Sequence, residues 1–266
     1  MANPSGSFIW YELMTTDADA ASAFYGEVVG WTIGANAMPG GGMDYRMIVR
    51  ADGGMNGGVL SLTDEMTAGG ARPGWLGYIY VPDVDAAVES VVADGGAVHM
   101  PAMTMEGVGR MAMVADPQGA PFYLMTPQPP ADAPDAASDV FSGMEAQHVR
   151  WNELSTTDPD AAIAFYTSHF GWTQNGEMDM GTMGKYRFVQ LGDIGLGAIM
   201  PKMPQMPVSA WTYYIGVDDI DRALAAVQAG GGQVLHGPDQ IPGGEYSLNA
   251  LDPQGAAFGI VGPRKG

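Results

Sequence analysis

The pattern of apolar and polar positions is that of one short unit used repeatedly. FIWYELMT (8–15) is aromatic, β-branched and of strand length. It runs straight into TTDADAASAFYGEVVG (15–30). There Thr16-Asp17 stands where a helix N-cap belongs, and Ala20, Ala21, Ala23 and Phe24 follow as helix formers. Gly30 stops that helix, and WTIG (31–34), YRMIVR (45–50) and GGVLSL (57–62) read as three extended pieces. The scheme then starts again. WLGYIYV (75–81) is a strand, and DVDAAVESVVADGG (83–96) is a helix closed by Gly95-Gly96. AVHMP, RMAMVAD and APFYLMT follow as three strands. The predicted unit is strand, helix, three strands.

That pair of units is itself duplicated. Residues 149–175, VRWNELSTTDPDAAIAFYTSHFGWTQN, match residues 8–34 at 15 of 27 positions with an offset of 141. The register persists at Tyr45-Arg46 and Tyr186-Arg187, then falls to an offset of 136. At that offset DPQGAPF (116–122) pairs with DPQGAAF (252–258). The sequence therefore predicts a first domain at 1–126, a linker at 127–143 and a second domain at 144–266. The linker, PQPPADAPDAASDVFSG, is rich in Pro, Ala and Asp and has little to bury.

A βαβββ unit used twice per domain resembles the vicinal-oxygen-chelate superfamily, which includes glyoxalases, bleomycin-resistance proteins and extradiol dioxygenases. TTDADAASAFYGEVVGW is similar to the superfamily's first helix, VPDVDAAVESVVADGG to its second-module helix, and DPQGAPFYL to the turn entering its last strand. The resemblance implies an α+β fold of two tandem glyoxalase-like domains, each made of two βαβββ modules around a cup, four modules in all. It also implies a divalent ion held by His or Glu on the first and last strands. Those positions fall here on Trp10, Trp151 and Tyr123, on Gly259, near Gly77 and Tyr213, and near Gly57-Gly58 and Gly197-Ala198. None is a His, Asp or Glu. The expectation is a protein without a metal or other cofactor, with a divalent metal as the alternative.

Side chains alternate along a strand, so Trp10 shares a face with Glu12, and Trp151 with Glu153. Glu12 and Glu153 are candidate catalytic or ligand-binding carboxylates, or else structural hydrogen-bond acceptors. Trp10, Trp75, Trp151 and Trp211, with Tyr123 and Tyr213, are candidate aromatic walls, or else ordinary core. Arg46 and Arg187 suit an anionic group or a surface ion pair. The histidines are not repeated: His99 aligns with Leu235, His148 with Ser7 and His169 with Val28. No Gly-rich phosphate loop or Ser-His-Asp pattern is supported by the sequence.

Composition narrows the function further. There is no cysteine, which excludes disulfides, thiolate metal sites and a cysteine nucleophile. Formal net charge is -19, which disfavours nucleic acid and anionic membrane surfaces as partners. No apolar run approaches the roughly 20 residues of a membrane span, and the N-terminus does not read as a signal peptide. A cytoplasmic monomer or homodimer is expected. Its expected function is to bind or transform a small, partly apolar molecule. The alternative is a divalent-metal-dependent lyase or dioxygenase of the glyoxalase type.

Overall fold

The computed structural model describes residues 3–37, 42–129, 133 and 136–265. Linker residues 130–132 and 134–135 lie outside the described residues. Four βαβββ modules follow one another. Module 1 holds β1 (Phe8–Thr15), α1 (Ala18–Val29), β2 (Thr32–Ile33), β3 (Tyr45–Val49) and β4 (Met55–Ser61). The short helix α2 (Asp64–Ala68) leads to module 2. That module holds β5 (Gly74–Tyr80), α3 (Val84–Ala93), β6 (Ala97–Met105), β7 (Gly109–Ala115) and β8 (Pro121–Pro127). Module 3 holds β9 (Val149–Thr156), α4 (Pro159–Phe170), β10 (Thr173–Asp179), β11 (Lys185–Leu191) and β12 (Ile194–Pro201). Module 4 holds β13 (Ala210–Gly216), α5 (Ile220–Ala229), β14 (Gln233–Gln240), β15 (Tyr246–Leu251) and β16 (Ala257–Gly262). No helix among the described residues is long and apolar enough to cross a membrane.

Each long helix starts on an aspartate. Asp17, Asp83, Asp158 and Asp219 accept from the N–H of Ala20, Ala86, Ala161 and Asp221 at 2.9–3.0 Å. Such a cap is worth roughly 1 kcal/mol. α1 and α4 end on left-handed glycines, Gly30 and Gly171, with φ of 87° and 68°.

The strands form two eight-stranded sheets of identical topology, β2-β3-β4-β1-β5-β8-β7-β6 and β10-β11-β12-β9-β13-β16-β15-β14. The parallel pairs β1/β4 and β9/β12 are unusually close. A Cβ on Gly57 would stand 1.9 Å from the Tyr11 carbonyl oxygen, and one on Gly197 1.7 Å from that of Asn152. Gly57 and Gly197 are therefore set by backbone approach.

The chain divides into two compact units, and each takes one module from each half of the sequence. Unit 1 comprises Met1–Ile9, Gly77–Ser138 and Asn152–Trp211, hence most of modules 2 and 3. At its centre Tyr166 of α4 is fully buried. Its hydroxyl donates to Asp116 at 3.1 Å and accepts from the Trp211 indole at 3.1 Å. Its ring stacks on Trp172 at 5.1 Å.

Unit 2 comprises Trp10–Leu76, Asp139–Trp151 and Thr212–Gly266, hence most of modules 1 and 4. Here Tyr25 of α1 takes the central place. It donates to Asp252 at 3.1 Å and accepts from Trp75 at 2.9 Å. The end of the 127–143 segment is anchored in this unit. Arg50 binds Asp139 at 2.6 Å, and Val140 is buried.

Candidate functional site

On module 1, β1 carries Trp10 and Glu12 on one face. Across the sheet Glu12 pairs with Gly58 of β4, and Gly58 with Met47 of β3. Tyr45 lies two residues before Met47 on the same face. A Cβ on Gly58 would stand 2.1 Å from the Tyr45 hydroxyl oxygen, so the phenol lies across β4 in the space that glycine leaves. There Tyr45 accepts a hydrogen bond from the Trp10 indole at 2.8 Å. Glu12 is buried beside them, with 3% of its surface exposed. An indole, a phenol and a carboxylate thus share one face.

Module 3 repeats the arrangement with one change. Glu153 pairs with Ala198, and Ala198 with Phe188. The methyl group of Ala198 stands where Gly58 leaves room in module 1. Tyr186, the counterpart of Tyr45, instead donates to the Glu153 carboxylate at 2.8 Å and meets Phe188 edge-on at 5.9 Å. Trp151 is half-buried.

In module 2, Tyr78 and Tyr123 pair in register and stack at 4.1 Å, with their planes 13° apart. In module 4 the same register pairs Tyr214 with Gly259. The Tyr214 ring lies over that glycine, 2.4 Å from where a Cβ would be, and its hydroxyl pairs with the Asn249 side chain. Trp75, Trp211 and Tyr213 occupy the opposite strand faces. Trp75 and Trp211 donate to the helix tyrosines Tyr25 and Tyr166, and Tyr213 meets Tyr11 edge-on at 5.1 Å. The first strands of modules 2 and 4 therefore present Tyr78 and Tyr214, one residue beyond the positions read from sequence. Their recurrence at an offset of 136 was a signal available for finding them.

The remaining candidates have structural partners. Arg46 binds Asp44 and Asp19, and Arg187 binds Asp160. Hydrogen bonding from Arg46 holds the Asp44 carboxyl below its usual range. His148 is buried, with Nδ1 2.9 Å from the Ala146 carbonyl. It lines a shallow recess of about 430 Å³ with Arg50, Asp52, Gln147, Asp218 and Arg222. Both arginines there are engaged, Arg50 with Asp52 and Asp139, Arg222 with Asp218 and the Glu27 and Val28 carbonyls.

In unit 1, Ser90, His169 and Asp94 do come together. The Ser90 hydroxyl is 3.2 Å from His169 Nδ1, and Asp94 is 3.0 Å from Nε2 without hydrogen-bond alignment. Ser90 lies inside α3, whose backbone N–H groups are spent on the helix, so no oxyanion donors face it.

The residues at the superfamily's ligand positions do not fit a divalent ion. Indoles and glycine side positions offer no lone pair to a metal, and the first strands supply only Glu12 in module 1 and Glu153 in module 3, with no carboxylate on β5 or β13. Among the described residues no group of three His, Cys, Asp or Glu side chains is placed to hold a metal ion.

Comparison with known proteins places this architecture. The sequence model of the Glyoxalase/Bleomycin resistance protein/Dioxygenase superfamily matches residues 7–124 and 146–260. CFP32 of Mycobacterium tuberculosis, provisionally named a glyoxylase, is 39% identical over 259 residues, covering 96% of this chain and 94% of its own. The anthracycline biosynthesis protein DnrV of Streptomyces peucetius is 29% identical, covering 98% and 94%. Among solved structures, the Mn(II)-bound glyoxalase of Novosphingobium aromaticivorans superposes with a TM-score of 0.63 at 16% identity, over 98% of this chain and 83% of that one. The 2,2',3-trihydroxybiphenyl 1,2-dioxygenase of Sphingomonas wittichii gives 0.65 at 15%, over 97% and 90%. At such identities these two structures share the fold alone. With both halves matched by the family's sequence model, this chain belongs to the glyoxalase, bleomycin resistance protein and dioxygenase superfamily.

Proposed function

We propose that this protein binds a small, partly apolar, oxygen-bearing molecule without a metal ion. The site is the Trp10–Tyr45–Glu12 face of module 1, with the Glu153–Tyr186 face of module 3 as its counterpart. The observation that carries this reading is the Tyr45 phenol lying across Gly58, hydrogen-bonded to Trp10 beside buried Glu12. Such a face offers a flat aromatic wall and a carboxylate that accepts from a ligand hydroxyl. The relationship to DnrV, named for the biosynthesis of anthracyclines, supports planar oxygenated rings as the ligand class.

The test is a titration with 1,4-dihydroxyanthraquinone before and after exhaustive EDTA treatment. Unchanged affinity is expected, with roughly tenfold weaker binding in Glu12→Gln and Trp10→Ala, or about 1.4 kcal/mol each. Near-stoichiometric divalent metal in the purified protein, with binding lost on its removal, would overturn the proposal.

A second reading is favoured by the name of CFP32: a lyase acting at the same face, with Glu12 taking a proton from the substrate carbon. Its measurement is turnover of methylglyoxal–thiol adducts. Turnover abolished in Glu12→Gln while the fold persists would support it.

A further inference from the structure

Modules 2 and 4 share their hydrogen-bond registers, so their side chains can be compared place by place. In module 2, Met100 of β6 pairs with Met113 of β7, and Met113 with Tyr123 of β8, which pairs with Tyr78. One row further along, Met103 pairs with Met111. In module 4 the same rows read His236, Asn249, Gly259 and Tyr214, then Asp239 and Ser247. Even the bulges coincide, on either side of Met100 and on either side of His236.

The other face of these strands has kept its character. Phe122 and Leu124 of module 2 correspond to Phe258 and Ile260 of module 4, all buried. Phe122 packs on Tyr166 and Phe170 of α4, and Phe258 packs on Phe24 and Tyr25 of α1. Divergence is thus concentrated on the side turned away from the helices. There, four thioethers and a tyrosine in module 2 stand against three hydrogen-bonding side chains, an aspartate and a glycine in module 4.

We infer that the Met100–Met113–Tyr123–Tyr78 face of module 2 is a site for a neutral, planar polycyclic aromatic group, and that module 4 has lost this specificity. In the stacked Tyr78–Tyr123 pair each ring spends one face on the other, so a further aromatic ring can extend the stack or meet the ring edges. Methionine sulfurs are polarisable, contact ring edges favourably, and adapt to irregular outlines. Met111 and Tyr123 form a buried floor, while Met103 is 42% exposed at the rim and Met100 and Met113 are half-buried. None of these side chains is charged, in a chain whose formal net charge is -19, so the face suits an uncharged ligand. In module 4 the same ligand would meet the carboxylate of Asp239 and the polar edge of Asn249, with only Tyr214 to stack on. The inference goes beyond the proposed function by assigning a ligand class to a separate sheet face.

The probe is N-phenyl-1-naphthylamine, which is neutral and brightens in apolar surroundings. One saturable site per chain is expected. The double variant Met100→His with Met103→Asp, carrying the module 4 residues, is expected to weaken binding at least tenfold. Met103 is exposed and Met100 half-buried, and an unchanged melting temperature checks that the fold is intact. Met113→Asn gives the same loss, whereas His236→Ala leaves binding unchanged. Retention of affinity within twofold in folded Met100→His/Met103→Asp, or two equal sites per chain, overturns the inference. Glu12→Gln separates the two ideas. It is expected to weaken the hydroxylated anthraquinone and leave the naphthylamine untouched. Failure of the anthraquinone arm alone removes the proposed function, and failure of the naphthylamine arm alone removes this assignment.

Discussion

Tyr25 in unit 2 and Tyr166 in unit 1 occupy matching places and make the same bonds, each to an aspartate and a tryptophan. The open faces of modules 2 and 4 occupy matching places too, and share almost no side-chain chemistry. The difference lies in what each substitution leaves behind. Changing Tyr25 alone orphans two buried polar groups at once, so the three residues can only change together. Changing Met113 to asparagine on a partly open face orphans nothing that water cannot reach. Duplication therefore preserved the hydroxyl-centred cores and left the sheet faces to diverge.

Removing the hydroxyls tests whether the two cores are equivalent. Tyr25→Phe strips Asp252 of a donor and Trp75 of its acceptor, and Tyr166→Phe does the same to Asp116 and Trp211. Each is expected to cost about 2–4 kcal/mol in urea or thermal unfolding, and the two costs should agree within ~1 kcal/mol. A large disparity would mean that the cores are not equivalent.

The loss carries a pH signature. Burial pushes the Asp252 carboxyl up from its ordinary value of 3.8, opposed by the Ala256 N–H and the Tyr25 hydroxyl. A raised acid stabilises the fold fully below its unfolded pKa, and that contribution is lost as pH rises through the folded one. Removing Tyr25 raises Asp252 further. The deficit of Tyr25→Phe should therefore be smallest near pH 4 and grow as pH rises through the raised folded value.

A second contrast concerns Gln147 and Gly6, aligned residues that both adopt left-handed backbone, with φ of 64° and 90°. Each carbonyl accepts an indole N–H at 2.8 Å, from Trp31 and Trp172 respectively. The glutamine adds a side chain that accepts from Ala51 N–H and donates to the Val29 and Gly30 carbonyls at the end of α1. Gln147→Gly relieves about 1 kcal/mol of left-handed strain but removes three hydrogen bonds, for a net loss of about 1–2 kcal/mol. Stabilisation on chemical denaturation would show that the side chain does not hold the segment.

The modules and their caps were legible in the sequence because their signals are local. The Asp17 cap and the Gly30 stop lie within one helix length of each other. The short helix α2 was not anticipated. It has five residues, a Thr63 cap and no buried side chain to leave a periodic trace. The composition of the two compact units was not legible either, since it depends on Tyr25 meeting Asp252 across 227 positions. At the site, alternation alone put Trp10 and Glu12 on one face. That Tyr45 joins them depends on a neighbouring strand and on the missing Cβ of Gly58. In the sequence Tyr45 stands out only through the repeated Tyr-Arg pair, and the same alternation turns the Arg46 side chain the other way.

That missing Cβ supplies the smallest and most local test. Gly58→Ala puts a methyl group 2.1 Å from the Tyr45 hydroxyl oxygen, and the phenol must leave its bond to Trp10. Module 1 would then approach module 3, where Ala198 already stands beside a tyrosine bonded to glutamate. The stability cost is that of one partly exposed hydrogen bond, about 0.5–1.5 kcal/mol. The sharper readout is the indole N–H resonance of Trp10, identified by its absence in Trp10→Phe, which should move as its acceptor departs. Affinity for 1,4-dihydroxyanthraquinone should fall severalfold. The converse change, Ala198→Gly, removes no bond and costs only the ~0.5–1 kcal/mol of a strand glycine. It should leave the Tyr186–Glu153 pair in place, because a charged acceptor holds a phenol more strongly than an indole donor does. An unmoved Trp10 resonance in Gly58→Ala would show that the phenol does not depend on that space, and that the two first-strand faces differ for some reason other than this single methyl group.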